Sequence, residues 1–368
     1  MRRTGLYLHI PFCKQKCNYC DFASFAGREF LIQDYLQALA QEAAQAQKRP
    51  CQTLYVGGGT PSLLSVPQLE QLVQLIEKNY APIPSFEEST FEANPESLTR
   101  EKIAYLRQAG FNRFSVGLQS FNEAELKTLG RIHSVADFRR VWETLQQEGV
   151  KSINVDLMAG LPGQTLKSFC DGLEQMIRLA PKHISVYGLQ VEEGTPFFER
   201  GILCDQLLMR RMLEEARARL KAAGYHHYEI SNFAQPGYES KHNTRYWQYE
   251  DYIGLGCAAA SYLNGQRRQN TPQVQEYIHR LQHGESPVAF TERLSGQALE
   301  GEKLMVGLRQ LDGVELTERQ QFFFGKEIQK HLQKGLLTQE GKKVKLSEEG
   351  LYLANEVFCS FVAPFEPL

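Results

Sequence analysis

The first half of the chain alternates between two kinds of hydrophobic pattern. Short runs rich in β-branched and aromatic residues are separated by longer segments in which apolar residues recur every three or four positions. The first pattern predicts strands and the second predicts amphipathic helices. The predicted strands are residues 6–10, 54–56, 90–93, 114–117, 153–156 and 184–187, and the helical segments include residues 31–47, 67–79, 99–109, 134–148 and 165–180. This alternation indicates parallel strands joined by right-handed helical crossovers.

A short phrase marks helix ends in the chain. Leucine, three further residues, glycine and an apolar residue occur in that order before three strand-like runs, with the glycines at Gly110, Gly149 and Gly224. Glycine suits the left-handed residue that ends a helix. Six strand–helix units are too few for a closed barrel of eight, so the pattern favours an α/β fold built as a partial (β/α)6 barrel. An open doubly wound sheet fits the same alternation.

The pattern changes after about residue 230. Residues 231–272 are rich in Gly, Asn, Gln and aromatic residues without sustained helical periodicity, so we expect loops and short strands there. From residue 295, two helical patterns precede a hairpin with its turn at Glu340 and Gly341, and a last helix follows. The expected parts are a core domain at residues 1–230, an aromatic-rich connecting segment at residues 231–290 and a small winged-helix-like α+β domain at residues 291–368.

Charge and hydropathy narrow the classes of partner. The chain has 368 residues, with 41 Lys and Arg against 43 Asp and Glu, and a formal charge of −2. The C-terminal region carries Glu and Lys in near balance, so a structural or docking role is expected for it rather than DNA binding. No apolar stretch reaches the roughly 18 residues of a membrane span, and no signal peptide is recognisable. We expect a cytoplasmic protein without a nucleic-acid partner.

Three of the eight cysteines, Cys13, Cys17 and Cys20, stand together directly after the first predicted strand. Three thiolates in one loop can hold three irons of a [4Fe–4S] cluster and leave the fourth iron open. A structural zinc is the alternative, but it needs a fourth ligand, and His9 is the only nearby nitrogen. The remaining cysteines are expected to be small buried hydrophobic residues. They are Cys51, Cys170, Cys204, Cys257 and Cys359.

The spacing of the three clustered cysteines resembles that of the radical S-adenosylmethionine (SAM) superfamily. Further motifs make the chain similar to the branch that contains the oxygen-independent coproporphyrinogen III oxidases and the related haem chaperones. These motifs are Tyr7-x-His9-Ile-Pro-Phe-Cys13, Gly57-Gly-Gly-Thr60-Pro61, Glu92-Ala-Asn94-Pro95, Gly117-Leu-Gln119-Ser-Phe121 and Asp156-Leu-Met-Ala-Gly-Leu-Pro162-Gly163-Gln164-Thr165. The resemblance covers nearly the whole chain. It implies the partial (β/α)6 barrel of that superfamily, with SAM bound at the open iron.

The resemblance also implies which residues surround SAM. Glu92, Gln119 and Asp156 stand at or just past predicted strand ends, the edge at which barrel enzymes assemble their sites. Arg131 would supply charge to the carboxylate of SAM, although a solvated surface arginine is an equally good interpretation of the sequence alone. By resemblance, the pocket is lined by Tyr7, Gly58, Gly59, Thr60, Glu92, Gln119, Arg131 and Asp156.

Three features distinguish the oxidases of this branch from the haem chaperones. The oxidases carry a further cysteine where this chain has Phe22, and a long segment before the cysteine loop, where this chain has only twelve residues. The haem chaperones carry a His-Asn-x-x-Tyr-Trp motif, which is present here at residues 242–247. By resemblance, His242 would ligate haem iron, with Tyr246 and Trp247 packed on the porphyrin. Without the resemblance, His242 would be a hydrogen-bonded loop histidine and the two aromatic residues would belong to the core.

The leading hypothesis is therefore a haem chaperone. It would bind haem and a SAM-ligated [4Fe–4S] cluster, receive electrons from a reductant protein and transfer haem to an acceptor haemoprotein. The rival hypothesis is an oxidase that decarboxylates a porphyrinogen by radical chemistry. In a third, the cluster is only structural and the chain is an electron or nucleic-acid partner, but then an ordered set of SAM ligands would have no purpose.

Overall fold

Six parallel strands form the centre of the structure, a computed structural model that describes residues 4–362. They are β1 (Thr4–Ile10), β2 (Thr53–Gly58), β3 (Glu88–Ala93), β4 (Arg113–Gln119), β5 (Ser152–Ala159) and β6 (His183–Gly188), and they pair in that order. The helices between them are α1 (Ile32–Gln45), α2 (Val66–Asn79), α3 (Arg100–Ala109), α4 (Glu123–Thr128), α5 (Val135–Gln147) and α6 (Leu166–Leu179). The predicted α/β class is confirmed, and the strand–helix units occur where the alternation predicted them.

Local sequence signals account for these elements. Helix α2 begins with a capping box in which Ser65 and Gln68 satisfy each other's backbone N–H groups. Its predicted apolar stripe is buried against the sheet and consists of Leu69, Leu72, Val73 and Ile76. The glycines of the recurring phrase adopt the left-handed conformation, with φ of 106° at Gly110 and 86° at Gly224. These glycines therefore end helices as predicted.

The sheet continues beyond both edges of the six-stranded core. After α7 (Pro196–Glu199) and α8 (Gln206–Ala222), strands β7 (His226–Glu229) and β8 (Asn232–Ala234) add in antiparallel fashion next to β6. Past α9 (Lys241–Trp247), strand β9 (Asp251–Leu255) pairs in parallel with the outer edge of β1. A meander then follows through β10 (Ala260–Leu263), β11 (Gln266–Asn270), α10 (Val274–Gln282) and β12 (Val288–Glu292).

This extension differs from the loops and short strands expected at residues 231–272. The short strands expected there are present, but they continue the central sheet and alternate with helices α9 and α10. The reason is that the outer edge of β1 exposes unpaired backbone groups, which β9 satisfies. The sheet is therefore continuous across the boundary expected near residue 230.

A smaller α+β unit follows, with its own apolar cluster around Leu304, Phe324 and Val344. The hairpin expected after two helices is present as β14 and β15. The elements of this unit are α11 (Gly296–Gly307), β13 (Val314–Glu315), α12 (Glu318–Gln333), β14 (Leu337–Glu340), β15 (Lys343–Leu346), α13 (Glu348–Tyr352) and α14 (Ala354–Cys359). Helices followed by a small sheet fit the winged-helix-like expectation, and the exact domain limits stay predictions.

Two further observations concern the described residues as a whole. None of their helices is both long and apolar enough to cross a bilayer. All eight cysteines lie among them and are unpaired. Of the five scattered ones, Cys170 and Cys257 are buried as expected, whereas Cys359 is exposed.

Candidate functional site

A cavity of about 460 Å³ opens at the carboxyl ends of the parallel strands. All three clustered cysteines line it, together with most of the residues expected around SAM: Gly58, Gly59, Thr60, Glu92, Gln119, Arg131 and Asp156. The carboxyl ends of parallel strands meet at one edge, so residues distant in the sequence converge there. Further lining residues that were not expected there include Tyr19, Ser115, Met158 and Tyr187.

The loop that carries the cysteines is held in place by backbone contacts on several sides. Two short segments, Phe12–Cys13 and Phe25–Ala26, pair in parallel and close the loop. The Nε2 atom of His9 lies 2.8 Å from the carbonyl oxygen of Ala23. In the middle of the loop, the N–H of Asn18 donates to the carbonyl of Leu129, the residue directly after α4, at 2.9 Å. The loop conformation is therefore set by residues other than the cysteine side chains.

Gly59 lets the cysteine loop approach the end of β2. A Cβ atom at this position would lie 3.0 Å from Sγ of Cys13 and 2.7 Å from the carbonyl oxygen of Phe12. A side chain would therefore push the loop away. The neighbouring Thr60 donates its hydroxyl to Sγ of Cys13 at 3.4 Å. The glycine run, expected to admit a ligand, thus also admits the loop backbone.

The three cysteines suit an iron–sulfur cluster better than a single ion. Burial raises the pKa of the Cys13 and Cys20 thiols, so their ionisation needs positive charge nearby, which iron supplies. Within residues 4–362, no three His, Cys, Asp or Glu side chains converge closely enough to hold one metal ion. In a [4Fe–4S] cluster, each thiolate binds a different iron, so the thiols need only border a common space.

Glu92 and Asp156 bring two carboxylates into the same buried cavity. The Glu92 side chain accepts the hydroxyl of Tyr55 at 2.5 Å and the N–H of Gly58 at 3.0 Å. Burial, with a smaller contribution from the neighbouring Asp156, raises the pKa of Glu92 to about 7. Burial raises the pKa of Asp156 as well. A cationic ligand would stabilise the ionised form of both groups.

Gln119 and Arg131 complete the polar lining. Gln119 ends β4 where its pairing with β5 is irregular, and its φ of 72° lies in the left-handed region. Such strain in a residue other than glycine is typical of functional sites. The guanidinium of Arg131 donates to Oδ1 of Asn94 at 2.8 Å and to the carbonyl of Gly117 at 2.7 Å, and lies 3.6 Å from Sγ of Cys17. Arg131 is thus part of the site and not a solvated surface residue.

The structure does not bring Tyr7 to the cavity lining. Its hydroxyl lies 2.8 Å from Nδ1 of His9, behind the cysteine loop. Conversely, Tyr55 and Asn154 contact the two carboxylates, and the sequence analysis missed both. Tyr55 precedes Gly57 of one motif by two residues, and Asn154 precedes Asp156 of another by two residues. Because side chains alternate along a strand, residues two apart lie on the same face. That alternation is the signal that would have found them.

The expected haem residues lie at the opposite end of the barrel, in helix α9. His242 is buried, with Nδ1 2.9 Å from the hydroxyl of Thr53 and Nε2 2.8 Å from the hydroxyl of Tyr246. Burial, with a smaller contribution from the nearby Arg245, lowers the pKa of His242 to about 3. The indole of Trp247 packs under the guanidinium of Arg309. In this conformation both ring nitrogens of His242 are engaged with protein groups.

Comparison with known proteins identifies the family. The radical SAM superfamily model matches residues 7–176. The heme chaperone HemW of Bacillus subtilis is 36% identical, over 97% of this chain and 98% of its own length. The chain belongs to the HemW family. HemW of Mycobacterium tuberculosis is 34% identical over 96% of this chain, and HemW of Escherichia coli is 42% identical over 69% of each chain.

A solved structure shares the fold of this HemW-family chain over nearly its whole length. Coproporphyrinogen III oxidase HemN of Escherichia coli, a radical SAM enzyme, superposes with a TM-score of 0.86 at 24% identity and covers 98% of this chain and 90% of its own. The predicted resemblance and radical SAM fold are therefore confirmed. Membership of this superfamily implies a [4Fe–4S] cluster and SAM as cofactors.

Proposed function

We propose that this protein is a haem chaperone that binds haem, holds a SAM-ligated [4Fe–4S] cluster and transfers haem to acceptor haemoproteins. The observation that carries the proposal is the similarity to heme chaperones over 97% of the chain, which spans the barrel, the aromatic-rich segment and the C-terminal unit alike. The cavity at the carboxyl ends of the strands supports the assignment of cluster and SAM to one site.

In this proposal, Cys13, Cys17 and Cys20 hold three irons, and the bound cluster supplies an open iron for SAM and a store for one electron. Glu92 and Asp156 attract the positively charged part of SAM, which explains why two carboxylates of raised pKa share a buried cavity. The guanidinium of Arg131 supplies positive charge to the carboxylate of SAM. The backbone of Gly58 and Gly59 and the side chains of Thr60 and Gln119 complete the lining, while Tyr7 contacts His9 outside it.

Haem is assigned to the motif at residues 242–247, with His242 as the axial ligand. That assignment has a structural cost, because His242 must release Thr53 or Tyr246 before a ring nitrogen can reach iron. Haem binding at this place therefore requires α9 to move or its side chains to rearrange. Tyr246 and Trp247 would then supply apolar packing for the porphyrin.

Two further parts of the proposal concern the surroundings of the protein. A reductant protein delivers the electron that the cluster needs. The compartment is the cytoplasm, where thiols stay reduced and free to ligate iron, in agreement with eight unpaired cysteines.

The oxidase remains the second candidate because of the shared fold with HemN. Against it stands Phe22, which occupies the position of the oxidases' further cysteine and lies 65% exposed at the cavity. We expect no more than negligible decarboxylation of coproporphyrinogen III, even with a competent reductant.

One experiment separates the two functions. Anaerobically reconstituted protein is offered haem and coproporphyrinogen III separately, and the Soret band and porphyrin products are followed. The chaperone function predicts that about one haem binds per chain and that no porphyrin product forms. Protoporphyrinogen IX formed over many turnovers would establish the oxidase, and a protein that binds no haem would contradict the chaperone.

A further inference from the structure

Helix α9 closes the amino end of the barrel, opposite the cavity. His242 packs against Gly5 at the start of β1, and its Nδ1 contacts Thr53 at the start of β2. The backbone N–H groups of Lys241 and His242 both donate to Glu88 at the start of β3, each at 2.9 Å. The first turn of the helix is thereby fixed to three strands whose other ends border the cavity.

One path leads from this helix to Glu92. The ring of His242 packs against the ring of Tyr55, with centroids 5.2 Å apart and planes 33° from parallel. Tyr55 in turn donates its hydroxyl to Oε1 of Glu92 at 2.5 Å. Because the ring of Tyr55 packs closely against His242, the position of the Tyr55 hydroxyl depends on α9.

A second path leads from the same helix to Asp156 through hydrogen bonds alone. The N–H of Ser240, the N-cap of α9, donates to the hydroxyl oxygen of Tyr228 at 3.2 Å, and this hydroxyl donates to Nε2 of His183 at 2.8 Å. Nδ1 of His183 donates to Oδ1 of Asn154 at 2.6 Å. Nδ2 of Asn154 then donates to Oδ1 of Asp156 at 2.7 Å.

We propose that α9 is a positioning element of the SAM site, which sets Glu92 through His242 and Tyr55, and Asp156 through Tyr228, His183 and Asn154. The inference rests on the proposed SAM binding at these carboxylates and adds a role for the His-Asn-x-x-Tyr-Trp motif at the opposite end of the barrel. The residues of both paths are positioning residues, because they reach the ligand only through the carboxylates.

The protonation states of the two histidines agree with this role. A neutral imidazole donates from one ring nitrogen and accepts at the other, and the hydroxyl and amide partners of both histidines allow this arrangement. Burial lowers the pKa of both, to about 3 for His242 and well below its usual range for His183. Both paths therefore keep their hydrogen bonds at neutral pH.

The test uses conservative variants that remove one hydroxyl each. In full-length protein with its cluster reconstituted, SAM is titrated and the electron-spin signal of the reduced cluster is followed, together with iron content and thermal stability. Tyr55→Phe should weaken SAM binding about tenfold, the value of a hydrogen bond to a charged group, and Tyr228→Phe by about threefold. Cluster content should stay at the wild-type level in both.

Tyr225→Phe is the matched control. Tyr225 is also buried and donates its hydroxyl to a backbone carbonyl, that of Pro181 at 2.7 Å, but it belongs to neither path. It should lose stability to a similar degree and bind SAM like the wild type. If Tyr55→Phe and Tyr228→Phe also lose only stability, α9 is merely structural and the inference is overturned, while the proposed function stands.

A double variant tests the order of the first path. His242→Ala should weaken SAM binding in the wild-type background and have little further effect in Tyr55→Phe, because both act on Glu92 through the same hydroxyl. Additive effects would overturn this path. A wild-type protein that holds the cluster but binds no SAM would contradict the proposed function itself, and the positioning role with it.

Discussion

At the carboxyl end of the barrel, Glu92 and Asp156 border an open cavity of about 460 Å³, whereas at the amino end His242 and Glu88 are enclosed by protein partners. Burial disfavours charge at both ends, raising the pKa of Glu92 to about 7 and lowering that of His242 to about 3. At the amino end every polar contact of the histidine ring is made within the chain. At the carboxyl end, within residues 4–362, Arg113 acts on both carboxylates and Arg131 on Asp156, yet burial outweighs these charges and the pKa of both groups stays raised.

The comparison shows that residue type alone does not identify a ligand site. Histidine, tyrosine and glutamate occur at both ends, and what differs is whether a buried polar group also borders an open cavity. We therefore expect substitutions at the carboxyl end to abolish or weaken ligand binding directly. Substitutions at the amino end should act through the folded structure.

The largest effect is expected at the cysteine loop. Cys17→Ser should abolish the [4Fe–4S] cluster, because an iron loses its protein ligand. Iron, sulfide and visible absorption after anaerobic reconstitution measure the result. Cys359→Ser, at an exposed cysteine outside the loop, is the control and should keep full cluster content. A normal cluster in Cys17→Ser, or its loss in Cys359→Ser, would falsify the ligand assignment.

The next effect concerns the two carboxylates of the cavity. Glu92→Gln and Asp156→Asn should keep the cluster but weaken SAM binding at least about tenfold, because a charge-assisted contact contributes on the order of 1.5–3 kcal/mol. Titration of SAM against the electron-spin signal measures this. Glu88→Gln offers the comparison at the amino end, where a glutamate caps α9 instead of facing the cavity. Its effect on SAM binding should be smaller than that of either cavity variant.

Much of the carboxyl end of the barrel could be predicted from the sequence. The alternation of patterns indicated the six strands, and the cysteine spacing indicated the cluster. The positions of Glu92, Gln119 and Asp156 at strand ends placed them at the same edge. Short-range periodicity and motif spacing carry this information, because the carboxyl ends of parallel strands always meet. The family resemblance added Arg131, for which the local sequence allowed a surface position as well.

The amino end of the barrel could not be predicted in the same way. Whether His242 faces solvent, haem or the barrel depends on contacts with Gly5, Thr53 and Tyr55, which lie about 190 residues or more away in the sequence. No local pattern encodes such pairings. The parallel pairing of β9 with β1, which brings α9 to this end, has the same long-range origin.

A coupling between haem and SAM follows if His242 is the haem ligand. Haem ligation would withdraw the ring from Tyr55, so haem should weaken SAM binding severalfold, and SAM should weaken haem binding by the same factor. Parallel titrations that follow the Soret band and the electron-spin signal measure both directions. In His242→Ala the coupling should vanish and haem affinity should fall. An unchanged Soret band and affinity in that variant would exclude His242 as the ligand and leave His9, His226 and His227 as candidates.

The smallest effect is a pH dependence of stability with opposite signs at the two ends. Glu92 has a folded pKa of about 7 against 4.5 ordinarily, so its contribution to the free energy of unfolding is full below pH 4.5 and lost as pH rises through 7. His242 has a folded pKa of about 3 against 6.5, so its contribution is full above pH 6.5 and lost as pH falls towards 3.

Denaturant unfolding without SAM, between pH 5 and pH 8, isolates the Glu92 contribution. Glu92→Gln removes the titrating group, so its stability relative to the wild type should rise with pH by at most about 1.4 kcal/mol per unit and level off above pH 7. Glu70→Gln, at an exposed glutamate of α2, controls for the exchange of a glutamate outside the cavity. A flat difference for Glu92→Gln would mean that Glu92 is already ionised in the folded protein. In that case the carboxyl end would be as fully compensated as the amino end, and the need for a cationic ligand would disappear.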